Sequence, residues 1–195
     1  MNSPFRCGYV ALVGRPNVGK STLLNRILGQ KISITSRRPQ TTRHRVLGIK
    51  TGSDAQLVYV DTPGIHDYSG RAMNRHMNRT ASSVLTDVDV VVFMVDRFKW
   101  TRDDELVLSK LEAIDCPVIL AINKIDLLAN RAELLPRLQA LGDKRAIEQV
   151  VPISATKGDN IQVLEDAIEQ LLPEAPAMFP EDQVTDRPVR FLAAE

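Results

Sequence analysis

Acidic residues are missing from the first 53 positions of this 195-residue chain, which carry ten Lys and Arg; the rest holds fifteen against twenty-four Asp and Glu. The net charge of +1 therefore hides one stretch at +10 and another at −9. A basic end implies a polyanionic partner, either the phosphates of a bound nucleotide or an additional RNA surface. Cysteine is scarce as well. Cys7 and Cys116 lie far apart, with no Cys-x-x-Cys spacing and no histidine partner, so both are expected as free thiols rather than metal ligands. No apolar run approaches the ~20 residues of a spanning helix, and the longest, 90–95, is bounded by Asp89 and Asp96. The basic start, apolar stretch and cleavage site of a secretory signal are absent too, so a cytoplasmic location is expected, with peripheral association at the inner membrane left open. Internal repeats and low-complexity tracts are also lacking. What is present, 44% hydrophobic and 25% charged residues, is an ordinary globular composition at one-domain size.

Apolar, β-branched runs at 9–14, 46–50, 56–61, 89–96, 117–123 and 149–154 predict strands. Helical patterns fall between them at 20–28, 70–86, 102–114, 131–141 and 160–171. In the last, Ile161, Leu164, Ile168 and Leu171 recur at helical spacing and Asn160 is placed to cap the start. The alternation predicts an open α/β sheet of six mostly parallel strands flanked by helices, with 46–50 and 56–61 close enough for an antiparallel hairpin. Ligands of such sheets bind at the carboxyl edge of the strands.

Four motifs fall at that edge. "GRPNVGKS" matches the phosphate-loop pattern after a strand and opens a helix. The loop of Gly14, Arg15, Pro16, Asn17, Val18 and Gly19 would surround the phosphates, Gly14 and Gly19 letting its backbone amides wrap them, with Lys20 reaching the β and γ groups, Ser21 holding Mg²⁺ and Thr22 continuing the helix. "DTPG" adds Asp61 for Mg²⁺ through water, then Thr62, Pro63 and the Gly64 amide toward a γ-phosphate. In "NKID", the two oxygens of Asp126 match the N1 and N2 hydrogens of guanine, which adenine lacks, so GTP is favoured over ATP. Asn123 would tie the loops together and the Lys124 stem cover the base. "SATKG" brings Ser154, Ala155 and Thr156, with the Ala155 amide able to donate to guanine O6.

Together with "KISITSRRPQTTRHR", "NKIDLL" and "SATKGDN", these motifs resemble the Era family of bacterial GTPases over residues 5–172. The G domains of Der and MnmE share Asn17 and the Thr-Thr-Arg run, but usually follow it with an acidic residue where this chain has His44. The resemblance implies a Ras-like P-loop GTPase domain over 1–172, hydrolysing GTP slowly to GDP and phosphate with Mg²⁺ as cofactor. It makes Thr42 the Mg²⁺- and γ-phosphate-sensing residue of a first switch, with Thr41 the nearest competitor, and places the second switch at 61–79. It further implies a role in small ribosomal subunit assembly, with 16S rRNA bound mainly by a KH domain. Residues 173–195, rich in proline and acid, read as a linker and the start of that domain, which the chain does not contain. Two other readings stay open: the G domain of a tRNA-modifying or large-subunit assembly protein, and a non-hydrolysing module that reports nucleotide state.

The residue after Gly64 is Ile65, where a water-orienting glutamine would stand in Ras-like enzymes. Catalysis is therefore expected to rest on Asn17, Lys20, Thr42 and Gly64, with backbone groups positioning the water. By the resemblance, the Asn17 oxygen can hold a K⁺ ion that supplies the charge of an arginine finger; alternatively it caps its own loop. His44, His66 and Asp67 are weaker candidates for ordering water. Arg37, Arg38, Arg43 and Arg45 beside the first switch, and Arg71, Arg75, His76 and Arg79 after the second, are either solvated faces or an RNA contact set by the nucleotide.

Overall fold

The computed structural model describes residues 4–33, 46–62, 85, 87–97, 100–128 and 147–186. The helix expected at 131–141, nearly all of that at 70–86, the switch residues Thr41, Thr42, Pro63, Gly64 and Ile65, the candidates His44, His66 and Asp67, and both basic clusters lie outside the described residues.

Six strands form one sheet: β1 (Arg6–Val13), β2 (Val46–Thr51), β3 (Ala55–Asp61), β4 (Val90–Asp96), β5 (Val118–Asn123) and β6 (Gln149–Pro152). Their order is β2-β3-β1-β4-β5-β6. β1 runs parallel to β3 and β4, and β5 runs parallel to β4 and β6. Only β2 is antiparallel, forming the expected hairpin with β3. β6 stops two residues short of the predicted 149–154 run, because Ser154 turns away to bridge Asp159.

The unbroken apolar run in β4 follows from burial on both faces. Val90, Val92 and Met94 join Val10, Leu12 and Ile119 in a core with Leu23, Leu24 and Ile27 of α1 (Lys20–Leu28) and Leu164 and Ile168 of α3 (Ile161–Leu171). The alternate residues Val91, Phe93 and Val95 join Ala11, Val13 and Leu120 against Val107, Leu108 and Leu111 of α2 (Arg102–Leu111). Each such fully buried side chain contributes about 1.5–3 kcal/mol, so this double-sided packing fixes which strand ends converge.

The three α-helices among the described residues begin differently. α2 has a capping box: Thr101 accepts from the Asp104 amide, and the Asp104 side chain accepts from the Thr101 amide. α1 follows Gly19 with no side-chain cap, leaving its first amides to another acceptor. Asn160 does stand before α3, but the expectation that it caps the helix is not met. Its backbone is left-handed (φ 57°) rather than extended, and its Nδ2 instead donates to the Pro152 carbonyl at 2.8 Å. A capping side chain normally needs the extended conformation to reach back to its own helix.

Residues 173–186 run back along the sheet. Cys7 N donates to Pro173 O at 3.1 Å, and Ala175 N to Phe5 O at 3.1 Å. Buried Gln56 on β3 accepts from the amides of Met178 and Phe179 (2.8 and 2.9 Å) and donates to Phe179 O (2.8 Å). Ile49 N then donates to Val184 O at 2.8 Å, which covers the outer edge of β2. Cys7 and Cys116 are both free thiols, as expected.

Candidate functional site

Gly14 leaves β1 with φ 146°, and a Cβ there would stand 2.4 Å from the Met94 carbonyl oxygen. Only glycine lets the phosphate loop pass this close to β4. The loop then closes on itself: Lys20 Nζ donates to the carbonyls of Gly14 (3.0 Å) and Arg15 (3.2 Å). Burial pushes the Lys20 ammonium down to about 8, an effect opposed by Asp61 and reinforced by Arg15. A cation so poorly solvated is strongly matched to an anion. The uncapped amides of α1 face the same demand. Thr22, one residue beyond Ser21, is half-buried within α1.

Asp61 and Thr62 end β3 fully buried. Ser21 Oγ donates to Asp61 Oδ2 at 2.9 Å, so the two expected Mg²⁺ residues are brought together. A hydroxyl and a carboxylate are the hard oxygens this ion prefers, and the pair therefore fits it. Among the described residues no group of three or more His, Cys, Asp and Glu could enclose a metal. Thr62 Oγ1 donates to Leu12 O at 2.8 Å and locks the end of β3 to β1.

The base-side motifs meet at Asn123. Its Nδ2 donates to Val18 O at 2.8 Å, and its Oδ1 accepts from Lys124 N (2.7 Å) and Ala155 N (2.9 Å). Lys124, left-handed at φ 69°, extends its Nζ to Asn17 O (2.9 Å) and Asp96 Oδ2 (2.7 Å), laying its stem from β5 to the phosphate loop. Ser154 Oγ donates to Asp126 Oδ1 at 2.6 Å and fixes that carboxylate. The Ala155 amide, expected to meet guanine O6, is already held by Asn123, so a base oxygen would have to share or replace that bond. Thr156 is exposed, its carbonyl held by Arg26.

Three participants were not among the candidate site residues. Asn25 on α1 accepts from the amides of Ile32 and Ser33 (both 2.9 Å) and donates to Ser33 O (2.7 Å), fastening the chain where it leaves toward the first switch. Ser33 Oγ donates to Asp61 Oδ2 at 2.7 Å. Arg26 donates to the carbonyls of Ala155 (3.2 Å) and Thr156, tying the phosphate helix to the base loop. Asn25 and Arg26 lie five and six residues past Lys20, on the helix the phosphate loop opens, and that position was their only sequence signal.

A phosphate loop, Ser21 paired with buried Asp61 beside it and a guanine-matching carboxylate, all at the carboxyl edge of a Ras-like sheet, define a P-loop GTPase domain. The family model MMR_HSR1, "50S ribosome-binding GTPase", matches residues 9–124, and the chain belongs to that family. Within it, the expected resemblance to Era is borne out. The chain is 60% identical to GTPase Era of Ectopseudomonas mendocina (strain ymp) over 190 residues, 97% of this chain and 64% of that protein. It thus spans 64% of the length of this curated relative. A crystal structure of Era with MgGDPNP and nucleotides 1506–1542 of 16S ribosomal RNA superposes with TM-score 0.92 at 42% identity, over 97% of this chain and 65% of that one. An Aquifex aeolicus Era variant bound to GDP.AlF4⁻ gives 0.91 at 42%, with the same coverage.

Proposed function

We propose that this chain binds GTP and GDP with Mg²⁺ and hydrolyses GTP as a molecular switch. The observation that carries the reading is the Asn123 junction, which joins the phosphate loop, the guanine-selecting loop and the Ala155 loop into one frame. Within it, Asp126 would accept from N1 and N2 of guanine, Lys20 and the α1 amides would hold the phosphates, and Ser21 with Asp61 would hold Mg²⁺. Bound there, the ion neutralises charge on the β and γ phosphates. Thr42, Pro63 and Gly64 complete the proposed site, and Asn17 the proposed K⁺ position.

The Era relatives support a role in small-subunit assembly. Because one of them is solved with 16S rRNA, we infer that the rRNA contact is made chiefly by the share of the relatives' length that this chain does not cover, where a KH domain is expected. Among the described residues no helix is long and apolar enough to cross a membrane, and a cytoplasmic location is proposed; no feature of those residues argues for an inner-membrane contact. Single-turnover hydrolysis of GTP, together with binding of this chain and of a full-length Era-type protein to a 16S rRNA 3′ fragment in GTP and GDP, tests the proposal. GTP hydrolysis without ATP hydrolysis, and nucleotide-dependent RNA binding by the longer form, are expected. Absence of turnover leaves a nucleotide-reporting module, and absence of RNA binding in every state removes the ribosomal role.

A further inference from the structure

Outside all four motifs, α2 sends one side chain to the phosphate loop. Arg15 Nε donates to Asp104 Oδ2 at 3.2 Å, with the Asp104 side chain fully buried and that of Arg15 only 16% exposed. Oδ2 is a shared acceptor, since Thr101 also donates to it through its amide (2.9 Å) and its Oγ1 (2.7 Å). The anchor is therefore rigid: it is part of the capping box that starts α2, and α2 is packed into the sheet by Val107, Leu108 and Leu111. Arg15 in turn lies between Gly14 and Pro16, and its own carbonyl accepts from Lys20. One residue thus joins the buried carboxylate through its side chain and the phosphate-binding lysine through its backbone.

The pairing is also incomplete. Among the described residues, Arg15 Nη2 and Asp104 Oδ1 are both buried without a hydrogen-bond partner. A guanidinium and a carboxylate can engage through two parallel bonds, and these two atoms are what the second bond requires. Buried polar atoms left unmatched are costly, so a small movement of the loop that brings them together is favoured.

We propose that Asp104 is a positioning residue for phosphate binding, which sets the phosphate loop from behind through Arg15 and takes up the second Arg15 bond as the loop closes on a diphosphate. The proposal rests on the nucleotide-binding reading above. It contrasts with a purely electrostatic role, because the two predict opposite signs. Removing a carboxylate near the site by Coulomb effect alone would tighten the binding of an anion. Losing the anchor would loosen it.

The test is the affinity of Asp104→Asn for GDP and for guanosine, measured by calorimetry and ligand-observed NMR beside the unsubstituted chain. Asparagine with its oxygen at the Oδ2 position still accepts from Thr101 and so preserves the cap, while its amide nitrogen at the Oδ1 position cannot accept the second Arg15 bond. About tenfold weaker GDP binding is expected, as misplacement of a phosphate cradle by a fraction of an ångström would give, with guanosine affinity unchanged. GDP bound as tightly as before or tighter, or guanosine weakened as much as GDP, overturns the proposal. Should that variant fail to fold, Asp104→Glu keeps the charge and shifts the carboxylate by one methylene: positioning predicts weaker GDP binding, charge alone predicts none. If the unsubstituted chain does not bind GDP, the nucleotide reading itself fails, which is a distinct result.

Discussion

Asn123 at the end of β5 donates through its Nδ2 to the Val18 carbonyl at 2.8 Å, while its Oδ1 receives the amides of Lys124 and Ala155. A single buried amide therefore holds three loops in register. Asn123→Ala leaves Val18 O and two amides unmatched, and an orphaned buried group costs about 1–3 kcal/mol. One such orphan alone lowers the melting temperature of a chain this size by about 2–12 °C, and the three together should lower it at least that far. GDP affinity should fall with it, by at least about tenfold; calorimetric melting and titration measure both.

Gly19 faces the same junction. A Cβ at this position would lie 2.3 Å from Asn123 Nδ2, on a backbone at φ 108°. Gly19→Ala should thus break the Asn123–Val18 bond and strain the start of α1, abolishing nucleotide binding at concentrations where the unsubstituted chain is saturated. Equilibrium binding of a fluorescent GDP analogue checks this. Retained affinity would mean that the loop opens freely.

The buried Lys20 gives the site a pH dependence of definite sign. Its ammonium titrates at about 8 in the folded chain against 10.5 when free, burial being the main cause. Below about 8 it is charged in both the free and the bound site, so nucleotide binding moves no proton there. Above about 8 the free site has lost its proton, and a phosphate must restore it. Affinity should therefore decline as pH rises in this range, with uptake of a proton on binding. The same depression means that burying the charge costs stability below about 8, a cost relieved as pH rises, because the unfolded chain then holds more protons than the folded one. Calorimetry at pH 9 in buffers of different ionisation enthalpy measures the uptake.

Asn17 sits in the phosphate loop at φ 64°, its carbonyl engaged by Lys124. A K⁺ ion held by the Asn17 side-chain oxygen, as proposed, would supply the charge of an arginine finger. GTP turnover at fixed ionic strength should be at least about tenfold faster in KCl than in NaCl, the scale of one well-placed electrostatic group. Asn17→Ala should erase the difference. Equal rates in the two salts would remove the cation from the account.

Much of the sheet was legible because its signal is local. The run 90–95 alternates between two cores, so both of its faces are apolar, and the hairpin of β2 and β3 follows from their short separation. The four motifs were legible because each couples a residue type to a strand end. What escaped were pairings made only by the fold. Asp104 reads in sequence as the third residue of a helix start, and nothing marks Arg15 as its partner 89 positions away. Arg26 and Asn25 look like surface helix residues until α1 is set beside the base loop and the departing chain. Asn160 misled for the opposite reason: its identity suited a cap, but its left-handed backbone turned the side chain to Pro152.

The central claim is that the carboxylate held by Ser154 selects guanine, and exchanging its chemistry tests that most directly. Asp126→Asn replaces one acceptor by a donor, which fits xanthine, with a carbonyl at position 2, in place of guanine's amino group. Binding of GDP and xanthosine diphosphate to both forms is the measurement. The account predicts that GDP affinity drops at least about hundredfold, as one hydrogen bond to a charged group is replaced by two facing donors and the other loses its charge, and that xanthosine diphosphate becomes the preferred ligand. Unchanged preference for GDP in the variant would contradict it.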